Sequence, residues 1–184
     1  MKGKIIFLNG TSSSGKTTLA RCLQASLDEV YYHIAADDFL HMMDEQKLEK
    51  ITYDCFVNTV SAMHHTVKLF SDRGLNVIVD HVLLDTPELA FATPECVKLL
   101  HDSPVLFVRV DCDLAELERR EKARGDREAG MAKWQTEHIH GNQIYDVQVN
   151  TARQTTDQCV QVIRRMLDKP EEWTAFEQLY MRIG

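Results

Sequence analysis

Residues 10–17 read Gly10-Thr11-Ser12-Ser13-Ser14-Gly15-Lys16-Thr17, and the apolar run Ile5-Ile6-Phe7-Leu8 stands just before them. The segment matches the phosphate-loop pattern GxxxxGK[ST] at every fixed position, in the order strand, loop and helix. Glycines let the backbone turn tightly so that N–H groups face inward, and the positive end of the next helix adds to their attraction for phosphate. The sequence therefore predicts a nucleotide-phosphate site formed by Gly10, Thr11, Ser12, Ser13, Ser14, Gly15, Lys16, Thr17 and Thr18.

Two side chains of this loop carry a more specific expectation. Lys16 is placed to reach the outer phosphates, and Thr17 supplies a hydroxyl for Mg²⁺, a cation that prefers oxygen ligands. The alternative is a glycine-serine turn before an ordinary helix. Because strand, loop and helix all stand where the motif requires them, we expect a nucleoside triphosphate, ATP or GTP, together with Mg²⁺.

Size and composition limit the class of protein. A chain of 184 residues is long enough for one domain with a full core, so we expect a single domain over residues 1–184. No apolar stretch approaches the length needed to cross a bilayer, and no leader pattern precedes the first strand, which predicts a cytoplasmic protein without a membrane partner. The net charge of −7 argues against nucleic-acid binding. Five singly spaced cysteines favour reduced thiols over disulfides or zinc.

Strand-like and helix-like segments alternate along the chain, which predicts a parallel sheet covered on both faces. The expected strands are Lys4–Leu8, Tyr31–Ala35, Leu75–Val79, Val105–Val110 and Asp146–Val149. The expected helices include one from Tyr53 to about Phe70, pieces at the two Thr-Pro-Glu segments (86–88 and 93–95), one from Asp113 through Arg120, and a single amphipathic packing helix over 170–184.

Three acids follow predicted strands: Asp37 and Asp38 end the second strand, and Asp80 ends the third. Carboxyl ends of parallel strands form the ligand crevice of an open α/β sheet. One carboxylate there can accept the proton of an attacking hydroxyl, and another can hold Mg²⁺, the role expected for Asp80 with Thr17. Acids at strand ends are also common caps and turn-formers. Strand alternation predicts that only one of Asp37 and Asp38 points into the crevice, without choosing between them.

His81 follows Asp80 directly and is the histidine that we first expect on the acceptor side of such a crevice. A buried, hydrogen-bonded structural histidine is the alternative.

Residues 119–127 contain five basic side chains in an otherwise acidic protein. On a continued helix Arg120, Arg124 and Arg127 share one face, from which guanidinium groups could bind phosphate oxygens and stabilise charge on a transferring group. The alternative is a solvated face paired with neighbouring acids. Gly125 offers a hinge, so residues 120–140 could form a lid over ATP.

Four segments together resemble the chloramphenicol phosphotransferase-like kinases. They are Leu8–Lys16, Arg21–Gln24, the string Ala123-Arg124-Gly125-Asp126-Arg127-Glu128-Ala129-Gly130-Met131-Ala132, and Tyr145–Thr151. The resemblance extends over roughly residues 3–165, and the third segment is more specific than a phosphate loop alone. It implies a three-layer α/β/α P-loop kinase fold with a five-stranded parallel sheet and a small arginine-bearing lid.

The resemblance also implies residue roles. Asp37 matches the base for the acceptor hydroxyl, with Asp38 as second choice, and Arg120, Arg124 and Arg127 match the lid arginines. The loop around Asn150 and Thr151 matches the part expected near the adenine.

The implied activity is ATP-dependent O-phosphotransfer to a small-molecule hydroxyl, as in chloramphenicol 3-O-phosphotransferase. Residues 42–73 depart from the family pattern, and this region would shape the acceptor pocket. The alternatives are a kinase of another metabolite, nucleotide or sugar nucleotide, and a nucleotide-binding switch.

Overall fold

The computed structural model describes residues 1–124 and 130–183. Its sheet has five parallel strands in the order β2-β3-β1-β4-β5. The fold class predicted from the sequence is confirmed. The strands are β1 (Ile5–Asn9), β2 (Tyr31–Ala35), β3 (Asn76–His81), β4 (Val105–Asp111) and β5 (Val147–Asn150).

Helices cover both faces of this sheet. They are α1 (Lys16–Ser26), α2 (Ala36–Leu40), α3 (Glu45–Leu48), α4 (Tyr53–Asp72), α5 (Ala92–Leu100), α6 (Leu114–Arg124), α7 (Met131–His138), α8 (Thr156–Leu167) and α9 (Ala175–Ile183).

Alternation along β1 explains the three layers. Ile5 and Phe7 belong to one buried cluster, with side chains of α4, α5 and α9, whereas Ile6 and Leu8 belong to the other, with side chains of α1 and α8. Successive side chains of a strand point to opposite faces, so a central strand that is fully buried must be apolar throughout. The run that precedes the phosphate loop therefore places that loop at the middle of the sheet's carboxyl edge.

Two helix predictions were wrong. The segment Thr86–Glu88 forms turns, and only the second Thr-Pro-Glu segment lies in a helix, α5. The C-terminal segment is also divided: a 3₁₀ turn covers Pro170–Glu172, and α9 begins only at Ala175. The division has a cause, because the Asp146 carboxylate accepts hydrogen bonds from the backbone N–H groups of Thr174 and Ala175, both at 2.8 Å. A carboxylate at that position fixes the start of a helix.

Candidate active site

A cavity of about 870 Å³ opens at the carboxyl edge of the sheet. It brings together most of the residues that the sequence singled out, from five separate parts of the chain. Those lining it are Ser12, Ser13, Gly15, Lys16, Thr17, Thr18, Asp37, Asp38, Asp80, His81, Arg120 and Thr151, whereas Gly10, Thr11, Ser14 and Asn150 do not line it.

The phosphate loop has the backbone that its glycines predict. Gly15 has a φ of +92°, a conformation that favours glycine. A Cβ on Gly10 would lie 2.4 Å from the carbonyl oxygen of Val110, so no larger residue fits there. The hydroxyl groups of Ser12, Ser13 and Ser14 are buried and have no hydrogen-bond partner among the described residues. Buried polar groups normally have partners, and phosphate oxygens are acceptors that suit these donors.

Lys16 and Thr17 meet Asp80 across the loop. Lys16 Nζ donates a hydrogen bond to the Thr11 carbonyl oxygen at 2.8 Å and lies 3.7 Å from Asp80 Oδ1. Thr17 Oγ1 donates to Asp80 Oδ2 at 2.6 Å. Burial alone would raise the pKa of Asp80, but the His33 ring, the Lys16 ammonium and the Thr17 hydroxyl outweigh burial and lower the pKa to about 2. An ionised carboxylate beside a hydroxyl is a donor set that fits Mg²⁺.

Asp37 and Asp38 follow β2, which neighbours β3 in the sheet, and both line the cavity. The prediction that only one of them faces the crevice was wrong. Strand alternation does not apply here, because α2 begins at Ala36 and both acids lie in its first turn. Both side chains are exposed.

Of the three predicted lid arginines, Arg120 is the one that can be described. Its Nη1 donates to the Ser13 carbonyl oxygen at 3.3 Å and to Thr151 Oγ1 at 3.0 Å, and its Nη2 donates to the Thr151 carbonyl oxygen at 3.0 Å. Arg120 therefore joins α6 to the phosphate loop and to the loop after β5. Arg127 and the side chain of Arg124 lie outside the described residues, and their roles stay predictions.

The loop after β5 contributes its two predicted residues differently. Thr151 lines the cavity, and its hydroxyl donates to the Ser14 carbonyl oxygen at 2.6 Å. Asn150 instead shapes the loop, since its Oδ1 accepts hydrogen bonds from the backbone N–H groups of Ala152 and Arg153 at 2.9 Å and 3.1 Å.

His81 is 6% exposed and lines the cavity, yet neither ring nitrogen has a hydrogen-bond partner among the described residues. Burial lowers the pKa of His81 well below its ordinary value, and the nearby His64 ring and the Lys16 ammonium act in the same direction. The ring is therefore neutral at physiological pH, with one N–H donor and one acceptor nitrogen. Among the described residues the alternative expectation, a hydrogen-bonded structural histidine, is therefore not met.

Sequence reasoning assigned no role in the site to two polar residues, Glu121, which binds the start of α7, and Gln135, which binds the phosphate loop. The buried Glu121 carboxylate accepts hydrogen bonds from the backbone N–H groups of Gly130 and Ala132. Gln135 accepts one from the backbone N–H of Ser12. The only sequence indication for Gln135 was its position three residues beyond the family-like string that ends at Ala132.

The fold and this site define a P-loop kinase: a phosphate loop after the central strand of a parallel sheet, with acids at the ends of the neighbouring strands. The family model of the chloramphenicol phosphotransferase-like proteins matches residues 3–168. The chain belongs to that family and is a phosphotransferase.

A relative from Mycobacterium tuberculosis (strain ATCC 25618 / H37Rv), named as an inferred O-phosphotransferase, is 30% identical over 174 residues, which cover 82% of this chain and 76% of the relative. The M. tuberculosis APS kinase CysC, solved with AMPPNP and APS, superposes with a TM-score of 0.68 at 18% identity and covers 91% of this chain and 99% of its own. A gluconokinase from Sinorhizobium meliloti 1021 has a TM-score of 0.59 at 16% identity, with 99% of this chain and 95% of its own covered. At these identities the two structures support the fold.

Within residues 1–124 and 130–183, every helix is too short or too polar to span a bilayer.

Proposed function

We propose that the protein transfers the γ-phosphoryl group of ATP to a hydroxyl of a small molecule. The observation that carries this proposal is that Lys16, Thr17 and Asp80 meet in the cavity that Asp37 also lines. A phosphate-binding loop, a carboxylate suited to Mg²⁺ and a second carboxylate near the phosphoryl group are the parts that this transfer requires.

In the proposed reaction the residues of the loop mainly hold and orient the triphosphate. Asp37 takes the proton of the acceptor hydroxyl, the oxygen forms a bond to the γ-phosphorus, and the bond from that phosphorus to the β,γ-bridging oxygen breaks to leave ADP. Lys16, with Arg120, Arg124 and Arg127, stabilises the charge that develops on the transferring group. Mg²⁺, when bound by Thr17 and Asp80, would neutralise phosphate charge.

Part of the cavity lining is apolar, which indicates the kind of acceptor that would fit there. Phe56, Val60, Leu84 and Leu89 line the cavity, together with the neutral ring of His81. Apolar walls with a few polar groups are typical of sites for small organic molecules. This supports an acceptor with an apolar portion next to its hydroxyl, and chloramphenicol is the first alcohol to test.

The test combines an acceptor panel with one variant pair. ADP release would be measured with purified protein, MgATP and a panel of alcohols that includes chloramphenicol, sugars, nucleosides and nucleotides. With the preferred acceptor, Asp37→Asn should lower kcat by about 10²–10⁴-fold and leave the Kd for MgATP within threefold of wild type.

Asp38→Asn is the matched control, because it makes the same change one residue along the same helical turn, and it should retain most of the transfer rate. Unchanged transfer by Asp37→Asn would refute its role as the base. MgATP binding without transfer to any alcohol in the panel would favour the nucleotide-binding switch instead.

A further inference from the structure

Gln135 on α7 contacts the phosphate loop directly. Its Oε1 accepts a hydrogen bond from the Ser12 backbone N–H at 2.6 Å. The side chain is 8% exposed and lines the cavity that holds Lys16 and Asp80. A residue from outside the motif therefore occupies a position beside the expected phosphates.

This contact fixes the orientation of the amide. An N–H group can donate only to the carbonyl oxygen of a glutamine, so the NH₂ group must point away from Ser12. No described residue accepts a hydrogen bond from this Nε2. The two N–H donors of Gln135 are thus available to a ligand in the cavity.

The same peptide group also locates Gln135 relative to Lys16. The Thr11–Ser12 peptide donates its N–H to Gln135, and its carbonyl oxygen accepts from Lys16 Nζ at 2.8 Å. Both side chains therefore form hydrogen bonds with one planar peptide group of the loop. Gln135 and Lys16 bind opposite edges of this peptide group, and both residues line the same cavity. Because Lys16 is the residue expected to reach the outer phosphates, a terminal phosphoryl group bound in that cavity is the ligand that we consider for the NH₂ group of Gln135.

The support behind Gln135 is well defined. The buried Glu121 carboxylate accepts from the backbone N–H groups of Gly130 at 2.8 Å and Ala132 at 3.0 Å, which caps the first turn of α7. Ala132 is fully buried. Gln135 lies one turn further along this capped helix, so its position is set before a ligand arrives.

We propose that Gln135 is a binding residue for the terminal phosphoryl group of ATP. Its Oε1 stays on the Ser12 N–H, and its NH₂ group donates to a γ-phosphate oxygen, where a preorganised donor stabilises the charge of the transferring group. The proposal rests on the proposed function, because it assigns a role in the same ATP site.

The test separates this donor from a purely structural contact. Gln135→Glu keeps an oxygen that can accept from Ser12, but replaces the NH₂ group with a second carboxylate oxygen. The Kd values for MgATP and MgADP would be measured by calorimetry, without acceptor, on wild type and variant. Since hydrogen bonds to charged groups are strong, Gln135→Glu should raise the Kd for MgATP by about tenfold to a hundredfold, and the Kd for MgADP by less than about threefold.

Gln158→Glu is the matched control. Gln158 Oε1 also accepts a backbone N–H, from Thr155 at 2.9 Å, but the residue lies outside the cavity. This variant adds the same charge to the same kind of contact and should leave both Kd values unchanged. Gln135→Met, which removes both the acceptor and the donor, should also weaken MgATP more than MgADP.

Wild-type affinity of Gln135→Glu for MgATP, or equal loss of MgATP and MgADP, would overturn the proposal and leave Gln135 as a structural contact only. The result is separable from the proposed function. If wild-type protein binds MgATP but phosphorylates no alcohol, the proposed function fails, and the comparison of the two nucleotides still decides the role of Gln135. If wild-type protein binds no MgATP, both fail.

Discussion

The replacement Asp80→Asn tests the electrostatics of the site in the absence of any ligand. Asp80 is 7% exposed and lies beside Lys16, Thr17 and His33, which lower its pKa from the ordinary value of 3.8 to about 2. The ionised carboxylate is therefore stabilised in the folded protein relative to the unfolded chain. This difference corresponds to about 2–3 kcal/mol of folding free energy at neutral pH.

The sign of the pH dependence follows from the direction of the pKa. Below about pH 5 the unfolded chain begins to bind a proton at Asp80 that the folded protein does not, so the stabilisation is complete above this pH and decreases as the pH falls toward 2. Asparagine cannot ionise. The wild-type protein should exceed Asp80→Asn by about 2–3 kcal/mol in free energy of unfolding at pH 7, and the difference should begin to shrink below about pH 5.

Urea denaturation at pH 7, 5, 4 and 3 would measure this difference, because titrations common to both proteins cancel when they are subtracted. Asp102→Asn is a suitable control: its pKa is also lowered, chiefly by the hydrogen bond from Lys2, but it is far more exposed than Asp80. An exposed pair contributes about 1 kcal/mol or less. Equal stability of wild type and Asp80→Asn at pH 7, or a difference that stays constant down to pH 3, would refute the reasoning.

Two further replacements test the framework of the site. Gly10→Ala should lower the free energy of unfolding by about 1–3 kcal/mol or more, because the new Cβ would meet the Val110 carbonyl oxygen. Gly141→Ala is the control, since a Cβ there would have open space. Equal melting temperatures of the two variants in thermal unfolding would contradict the close approach at Gly10. Asp146→Ala should remove the hydrogen bonds to the first N–H groups of α9, so hydrogen exchange of the α9 amides should be faster than in wild type. The control Glu171→Ala changes an exposed acid and should not accelerate this exchange. Unchanged exchange in Asp146→Ala would exclude capping by Asp146.

The parts of the fold that sequence reasoning predicted are those with local patterns. The strands that begin at Ile5, Tyr31 and Val105 are rich in apolar, aromatic and β-branched residues, and the phosphate loop is a contiguous motif, so each could be placed without knowledge of its partners. The alternation of strands and helices then predicted the parallel sheet. Because Asp37 and Asp80 follow or end strands that are neighbours in this sheet, their presence in one cavity was also predictable.

The rest depends on contacts between distant residues. The break before α9 is set by Asp146, which is 28 residues from Thr174. Thr174 and Glu177 form the Thr-x-x-Glu pattern of a helix start, a local indication that the prediction of a single helix did not use. The contact from Gln135 to Ser12 crosses 123 residues. The directions of Asp37 and Asp38 were not predictable for a different reason. They depend on whether β2 continues or a helix begins at Ala36, and helix and strand propensities do not decide between these two structures over so few residues.

The phosphate loop itself shows why such distant contacts matter for function. The carbonyl oxygens of Thr11, Ser13 and Ser14 accept hydrogen bonds from Lys16, Arg120 and Thr151, three donors that come from different elements. In a trans peptide the N–H points opposite to the carbonyl oxygen, so a donor that holds the Ser14 carbonyl also directs the Gly15 N–H. The first four N–H groups of a helix have no acceptor within it, which leaves the amides at the start of α1 available to an anion. The motif supplies these donors, and the side chains of α6 and of the loop after β5 hold them in the orientation that phosphate requires.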